Sequence, residues 1–291
     1  MSFGVEVRDL TVRYRRTTAI DGVSLTLEPG RIHGLLGRNG SGKTSLLSVL
    51  AAFRPATSGT VLVDGEDPFE NARIMAGTCL VRESGDHMDE KARTSLQIAE
   101  AVRPTWDGEL AGRLAERLQV PLDRKPGEMS RGQRSALGVV VGIASRAPLT
   151  MLDESYLGLD APSRYAFYDE LLADYAAHPR TIVVSSHLIE EVERLFESVV
   201  VLDRGRVLLA DDADALRARG ATLTGPADVV DAFLDGRSVL ERRTLGRTAA
   251  VTVDGGLDAD ARRRARELGL EVGPVPLQDL FVHLTTSGER R

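Results

Sequence analysis

Residues 37–44 read G-R-N-G-S-G-K-T, which matches the phosphate-binding spacing G-x-x-x-x-G-K-[ST]. Gly37, Gly40 and Gly42 allow backbone conformations closed to other residues and a close approach to an anion. With Arg38, Asn39 and Ser41 between them, successive amides point into one concavity, and a helix opening near Lys43 adds the positive end of its dipole. Lys43 would set a compact ammonium against the outer phosphates. The Thr44 hydroxyl is placed to bind Mg2+, and Ser45 follows it at the same helix start. A glycine-rich turn with a stray lysine is the plainer alternative, and composition weakens it. Lysine occurs only at positions 43, 91 and 125 while arginine is used freely, and the two cations are not interchangeable.

Three further stretches could serve the same chemistry. Met151-Leu152-Asp153-Glu154 ends an apolar strand with two adjacent carboxylates. In a parallel sheet, ligands lie beyond the carboxyl ends of the strands, so these acids should face the phosphate loop. Asp153 would hold Mg2+ through water, and Glu154 would orient and polarise the attacking water. A solvated acidic turn is the alternative, and the loop upstream tilts the balance towards function. His187 follows Val183-Val184-Ser185-Ser186, again at a strand end; it reads as a structural histidine or as an imidazole that reaches a terminal phosphate and holds the water in place. Ser130-Arg131-Gly132-Gln133 precedes a helix expected to start near Ser135; it reads as a second anion site or as a simple helix cap.

The elements that must hold these groups follow from hydrophobic periodicity. Residues 3–27 alternate apolar and polar, predicting two half-buried strands joined at 15–18. Ile32, Leu35 and Leu36 form a buried strand before the loop, and Ser45–Leu50 a helix after it. Strands are expected at 60–63 and 78–81, and helices from about 95 to 144, with Leu110, Leu114 and Leu118 at helical spacing and a stop at Pro121. Strands at 149–152 and 181–184 flank an amphipathic helix at 163–177, and this β-α-β alternation signals a parallel sheet with covering helices. Segments 199–202 and 207–209 predict a hairpin. Beyond Ala210 the order strand 221–225, helix 226–234, strands 237–243 and 247–253, helix 258–268, strand 270–275 and helix 276–284 predicts a small split βαβ module.

Bulk properties set the limits. A length of 291 residues suits one large domain or two unequal ones. A net charge of −6 argues against a nucleic-acid footprint. The lone Cys79 cannot form an intramolecular disulfide and fits a reducing compartment. No apolar run reaches bilayer length and the N-terminus lacks a secretion signal. The reading is a cytoplasmic chain, with any membrane part supplied by another polypeptide.

The order and spacing of these motifs resemble the ATP-binding-cassette (ABC) ATPases over about residues 3–210. Residues 37–44 resemble the Walker A loop, and Ser130–Gln133 the signature motif. Leu149–Asp153 with Glu154 resemble Walker B and the catalytic glutamate, Gly158-Leu159-Asp160 the D-loop, and His187 the switch histidine. Tyr14 is similar to the aromatic that stacks on adenine. The resemblance implies an α/β fold: a P-loop NTPase core of mixed or parallel sheet with an N-terminal antiparallel β-subdomain, an ABC helical subdomain at about 84–146, and a small C-terminal α+β module. It implies domains at 1–212 and 213–291, the second resembling segments appended to some drug- and peptide-export ATPases. It also implies ATP and Mg2+ as cofactors, with Thr44, Asp153 and Glu83 at the metal. The active form would be a head-to-tail homodimer or heterodimer in which Ser130, Arg131, Gly132 and Gln133 complete the partner's site. The partner would be an integral membrane permease of the export type, approached from the cytoplasmic face through Trp106 and 82–93. Rival readings are a soluble ABC ATPase in DNA repair, translation or cluster assembly, and a non-hydrolysing ATP-binding regulator. Three positions depart from the family pattern: Glu83 stands for the Q-loop glutamine, Arg131 for a signature glycine, and Ser155-Tyr156 for the commoner Pro-Thr.

Overall fold

Alternation of apolar residues in the first strands places one face of an antiparallel sheet over the core. The computed structural model describes residues 1–83, 89–234 and 236–287, with side chains to 283. In it, β1 (Val5–Tyr14) pairs antiparallel with β2 (Thr17–Leu27) and with β4 (Ser58–Val63) on its other side. Val5, Val7, Leu10, Val12, Ile20 and Val23 are buried beneath it. Between β2 and β4 run β3 (Ile32–Leu36) and α1 (Lys43–Leu50). Leu46, Leu47 and Leu50 of α1 are buried in the same core, each contributing about 1.5–3 kcal/mol.

The chain continues through α2 (Ala72–Ala76), β5 (Thr78–Arg82), α3 (Ala92–Val102), α4 (Gly108–Arg117) and α5 (Arg131–Ala144). Then come β6 (Leu149–Asp153), α6 (Ala161–Ala177) and β7 (Thr181–Ser186), followed by α7 (Ile189–Val192), β8 (Ser198–Asp203) and β9 (Arg206–Asp212). Six strands form one sheet in the order β5-β6-β7-β3-β8-β9, and the pairs β5·β6, β6·β7 and β3·β7 are parallel. The central strands are buried on both faces, as continuous apolar runs require. Their carboxyl ends therefore all open on the same edge as the loop after β3. Helix α5 lies close on the sheet because Gly138 and Gly142 present no side chain; a Cβ at either would come within 2.8 Å of Val81 or Leu152.

Three departures concern this part. Helix α5 begins at Arg131, not near Ser135, so the Ser130–Gln133 stretch forms the helix's own cap and first turn. The short α2 lies where no helix was expected, and the helical region starts at Ala92, before 95. The predicted segment 82–93 includes 84–88, which lie outside the described residues.

The described residues divide into two compact units: residues 1–187 with 200–210, and residues 188–199 with those from 211 on. The second unit contains α7, α8 (Ala213–Ala218), β10 (Gly220–Pro226), α9 (Ala227–Phe233), β11 (Val239–Leu245), β12 (Thr248–Asp254), α10 (Ala259–Glu267), β13 (Glu271–Gly273) and α11 (Leu277–Ser287). Its strands make an all-antiparallel sheet in the order β11-β12-β10-β13, the split βαβ order expected for this segment. Leu223, Val230, Val251, Val253, Ala261 and Ala265 form its core. Glu193 accepts a hydrogen bond from the Leu277 amide at 2.9 Å where α11 begins. No helix among the described residues is long and apolar enough to cross a membrane.

Candidate functional site

The glycine loop joins a fully buried strand to a helix whose N-terminus has no side-chain cap. Gly42, the N-cap, has φ 108°, and a Cβ there would fall 2.5 Å from the Ala19 carbonyl oxygen, so only glycine fits. The amides at the start of α1 are thus left for an outside acceptor. The Ser41 hydroxyl is buried with no hydrogen-bond partner among the described residues. Lys43 is buried, its Nζ donating to the carbonyl oxygens of Gly37 at 2.7 Å and Arg38 at 3.2 Å. A cavity of about 590 Å³ opens over this loop, lined in part by Asn39, Gly40, Gly42, Lys43, Thr44 and Ser45.

Of the two carboxylates at the end of β6, Glu154 lines this cavity and Asp153 is buried beside it. Asp153 is buried, and its Oδ1 accepts the Ser185 hydroxyl at 2.5 Å. Glu154 stands one residue on with φ 52°, a left-handed conformation that costs a residue with a Cβ about 1–3 kcal/mol. Its Oε1 lies 3.1 Å from Lys43 Nζ and its Oε2 3.1 Å from His187 Nδ1. The strained backbone thus carries the carboxylate between the cradle's ammonium and the imidazole at the end of β7. Its own amide donates to Ser185 Oγ at 3.1 Å.

Ser185 was not singled out in the sequence, yet its hydroxyl ties both carboxylate residues to β7. A pair of serines ending the apolar run of a central strand was the available signal. The Tyr156 hydroxyl donates to Ser186 Oγ at 2.6 Å, and its ring stacks on Phe167 with centroids 5.6 Å apart. The Gly37 amide donates to the Ser186 carbonyl at 3.3 Å. The Ser155-Tyr156 departure therefore supplies a buried brace between the turn after Glu154, β7 and the loop.

Tyr14 and Glu83 complete the cavity wall. Tyr14 ends β1, with the Arg54 guanidinium 3.9 Å from its ring centroid. Burial pushes its phenol up, but hydrogen bonds with Ser45 and Arg54 and the charges of Arg54 and Arg82 outweigh this and hold it below the usual tyrosine range. Glu83 follows β5, its amide donating to the Asp153 carbonyl at 2.9 Å, while its carboxylate pairs with Arg131. Among the described residues no cluster of three or more His, Cys, Asp or Glu side chains makes a protein-only metal cage. Magnesium needs none, since it retains waters and takes phosphate oxygens with one or two protein groups. The Thr44 hydroxyl with Asp153 and Glu83 beside the cradle fits that donor set.

The remaining predicted residues lie elsewhere. Ser130, Gly132, Gln133 and Asp160 line a separate cleft of about 350 Å³ with Gly158 and Ser163. Ser130 and Gln133 form a capping box: the Gln133 amide donates to Ser130 Oγ at 3.2 Å, and the Ser130 amide to Gln133 Oε1 at 3.0 Å. Asp160 caps α6, accepting from the Ser163 amide at 2.9 Å. Donation from Ser163 holds the Asp160 carboxyl below the usual range. Of the signature residues only Arg131 reaches back to the nucleotide-cavity wall, through Glu83.

A parallel sheet with an uncapped glycine loop, a buried lysine and strand-end carboxylates defines a phosphate-loop nucleotide-binding protein. The family model described as "ABC transporter" matches residues 20–156. The chain is 30% identical over 214 residues to the ABC transporter ATP-binding protein YtrB of Bacillus subtilis (strain 168), covering 73% of each chain. It is 28% identical over 303 residues to the Nod factor export ATP-binding protein I of Paraburkholderia xenovorans (strain LB400), covering 97% of this chain and 96% of that one. Other curated relatives are longer, and the chain spans 39% of their length. Among solved structures, an ATP-binding subunit of an ABC transporter superposes with a TM-score of 0.65 at 22% identity, covering 73% of this chain and 91% of that one, a likeness of fold. The chain belongs to the ABC transporter ATP-binding proteins, a family of nucleotide-binding ATPases.

Proposed function

We propose that this chain binds ATP with Mg2+, hydrolyses it, and so energises a separate membrane permease of the export type from the cytoplasmic face. The observation that carries the reading is Glu154, held at 3.1 Å from both Lys43 and His187 at the mouth of the phosphate cradle. In this reading the amides of 37–42 and Lys43 bind the outer phosphates, and Tyr14 and Ser45 bound the base and ribose end. Thr44, Asp153 and Glu83 would hold Mg2+, which when bound neutralises phosphate charge. Glu154 orients the attacking water and accepts its proton, and His187 fixes the carboxylate and the terminal phosphoryl oxygens.

Ser130, Arg131, Gly132, Gln133 and Asp160 serve the nucleotide of a second cassette, identical or different. The contacts of these residues to the terminal phosphate exist only when two cassettes close, which supplies the differential affinity that closure needs. The permease would seat a cytoplasmic segment in the apolar groove between β5, α3 and α5, where Phe53, Ile98 and Val102 are exposed beside Arg82 and Arg103. The export direction rests on the likeness to the Nod factor export protein. No nucleic-acid partner is proposed, given the net charge of −6. We assign 1–212 to the nucleotide-binding domain and 213–291 to an accessory module that modulates dimerisation.

Calorimetry with Mg2+ and ATP tests the cradle. Lys43→Ala should weaken binding about a hundredfold or more, the loss of a charge-assisted phosphate contact. An unaltered affinity contradicts the assignment.

A further inference from the structure

Two departures from the family pattern, 48 residues apart, meet in the folded chain. Glu83 lines the nucleotide cavity with Lys43, Thr44 and Glu154. Arg131, the first residue of α5, extends from the Ser130–Gln133 turn and pairs with the Glu83 carboxylate. Neither side chain is buried, with 38% of Glu83 and 63% of Arg131 exposed. A solvated pair of that kind contributes little and is readily exchanged. Charge around the cradle favours such an exchange. Glu83 and Glu154 line the cavity beside Lys43, with Asp153 buried next to Glu154, and a divalent cation arriving with a polyphosphate would offset these carboxylates.

We propose that Glu83 and Arg131 form an exchangeable pair: Glu83 leaves Arg131 for the divalent cation that accompanies the nucleotide, and the released Arg131 becomes a phosphate-binding cation for the nucleotide of the second cassette. Each half has a physical basis. A divalent ion with incomplete protein ligation attracts a nearby carboxylate more strongly than an exposed guanidinium does. A guanidinium freed at that turn offers five donors suited to phosphate oxygens. Filling a chain's own site thereby readies it to serve its neighbour's. The pair also accounts for why an acid at 83 and a base at 131 occur together, each countering the other's charge while the site is empty. The second half rests on the paired-cassette reading above; the first concerns one chain alone.

The test uses the full chain, a fluorescent mant-ATP probe, and titrations with Mg2+ or with EDTA. Arg131→Gln should tighten Mg2+-dependent mant-ATP binding about two- to fivefold by removing the competitor for Glu83, and should not tighten binding in EDTA. In a Glu83→Gln background the same substitution should change nothing. Mn2+ in place of Mg2+ should show by electron paramagnetic resonance a bound-metal signal altered by Glu83→Gln and unaltered by Arg131→Gln. In a Glu154→Gln background, Arg131→Gln should weaken the ATP-driven dimer about tenfold by light scattering, with partial rescue by Arg131→Lys. Unchanged or weakened Mg2+-dependent affinity in Arg131→Gln, or an equal change in both backgrounds, overturns the exchange. A Glu154→Gln chain that stays monomeric in ATP overturns the paired-cassette reading instead, and the titrations still decide the role of Glu83.

Discussion

Asp174, near the end of α6, and Glu154, just past the end of β6, are both carboxylates withdrawn from water and paired with cations, in unlike surroundings. Asp174 lies 2.7 Å from Arg180 and 2.8 Å from Arg146, with His178 at 3.5 Å, and Arg146 also pairs with Asp107 at 2.8 Å. Arg180 is itself buried; burial pulls its pKa down while Asp174 opposes the fall. This network ties α6, β7 and the start of α4 together. Glu154 instead has a left-handed backbone, one buried ammonium, one imidazole and a cavity at its face. Asp174 sits on helical backbone and is enclosed by its partners, although one of them, Arg146, is itself left-handed at φ 42°. Glu154, the group proposed to act on water, is held in a strained conformation beside open space.

The sharpest way to break that contrast is to remove one partner from each network. Asp174→Ala should cost about 3–5 kcal/mol in denaturant melts, because Arg180 is left buried without its counter-charge. Lys43→Ala should cost less, about 1–3 kcal/mol, because Glu154 keeps His187 at 3.1 Å and faces the cavity. Equal losses would make the Lys43–Glu154 pair a structural one. Next in size is Ser185→Ala, which releases both Asp153 and the Glu154 amide. Turnover should fall roughly 10- to 100-fold through misplacement of the carboxylates, with ATP affinity nearly unchanged. A loss confined to affinity would contradict that role for the hydroxyl. Smallest is the backbone strain itself. Glu154→Asn should melt about 0.5–1 kcal/mol more stably than Glu154→Gln, since asparagine tolerates the left-handed region better, and equal melting would argue against strain at this position.

The same contrast explains what could be read before the fold was known. The phosphate loop, Asp153, Glu154 and His187 were legible because each sits at a strand end, where a run of apolar residues stops at a polar one. The parallel core followed from strands too apolar to face water on either side. The start of α5 was placed late because Gly132 is a poor helix former, and the Ser130–Gln133 capping box marks the true boundary. The short α2 and α8 escaped notice because five or six residues hold too little periodicity to register. Strand β11 was set two residues early because Glu241, Arg242 and Arg243 place charge inside it. Ser185 went unremarked because it stands with Ser186 where the apolar run 182–184 ends, and nothing local says which carboxylates its hydroxyl meets. The Arg146–Asp174–Arg180 network and the Glu83–Arg131 pair were out of reach, since contacts between distant residues leave no local pattern.

The central claim is that Glu154 acts on water and not on nucleotide binding. Single-turnover hydrolysis of ATP by Glu154→Gln, measured beside its ATP affinity, tests this most directly. The account predicts a rate lowered about 10²- to 10⁴-fold, the range for loss of a general base, with affinity kept within about threefold and a dimer that persists in ATP. Turnover close to that of the parent chain would contradict it.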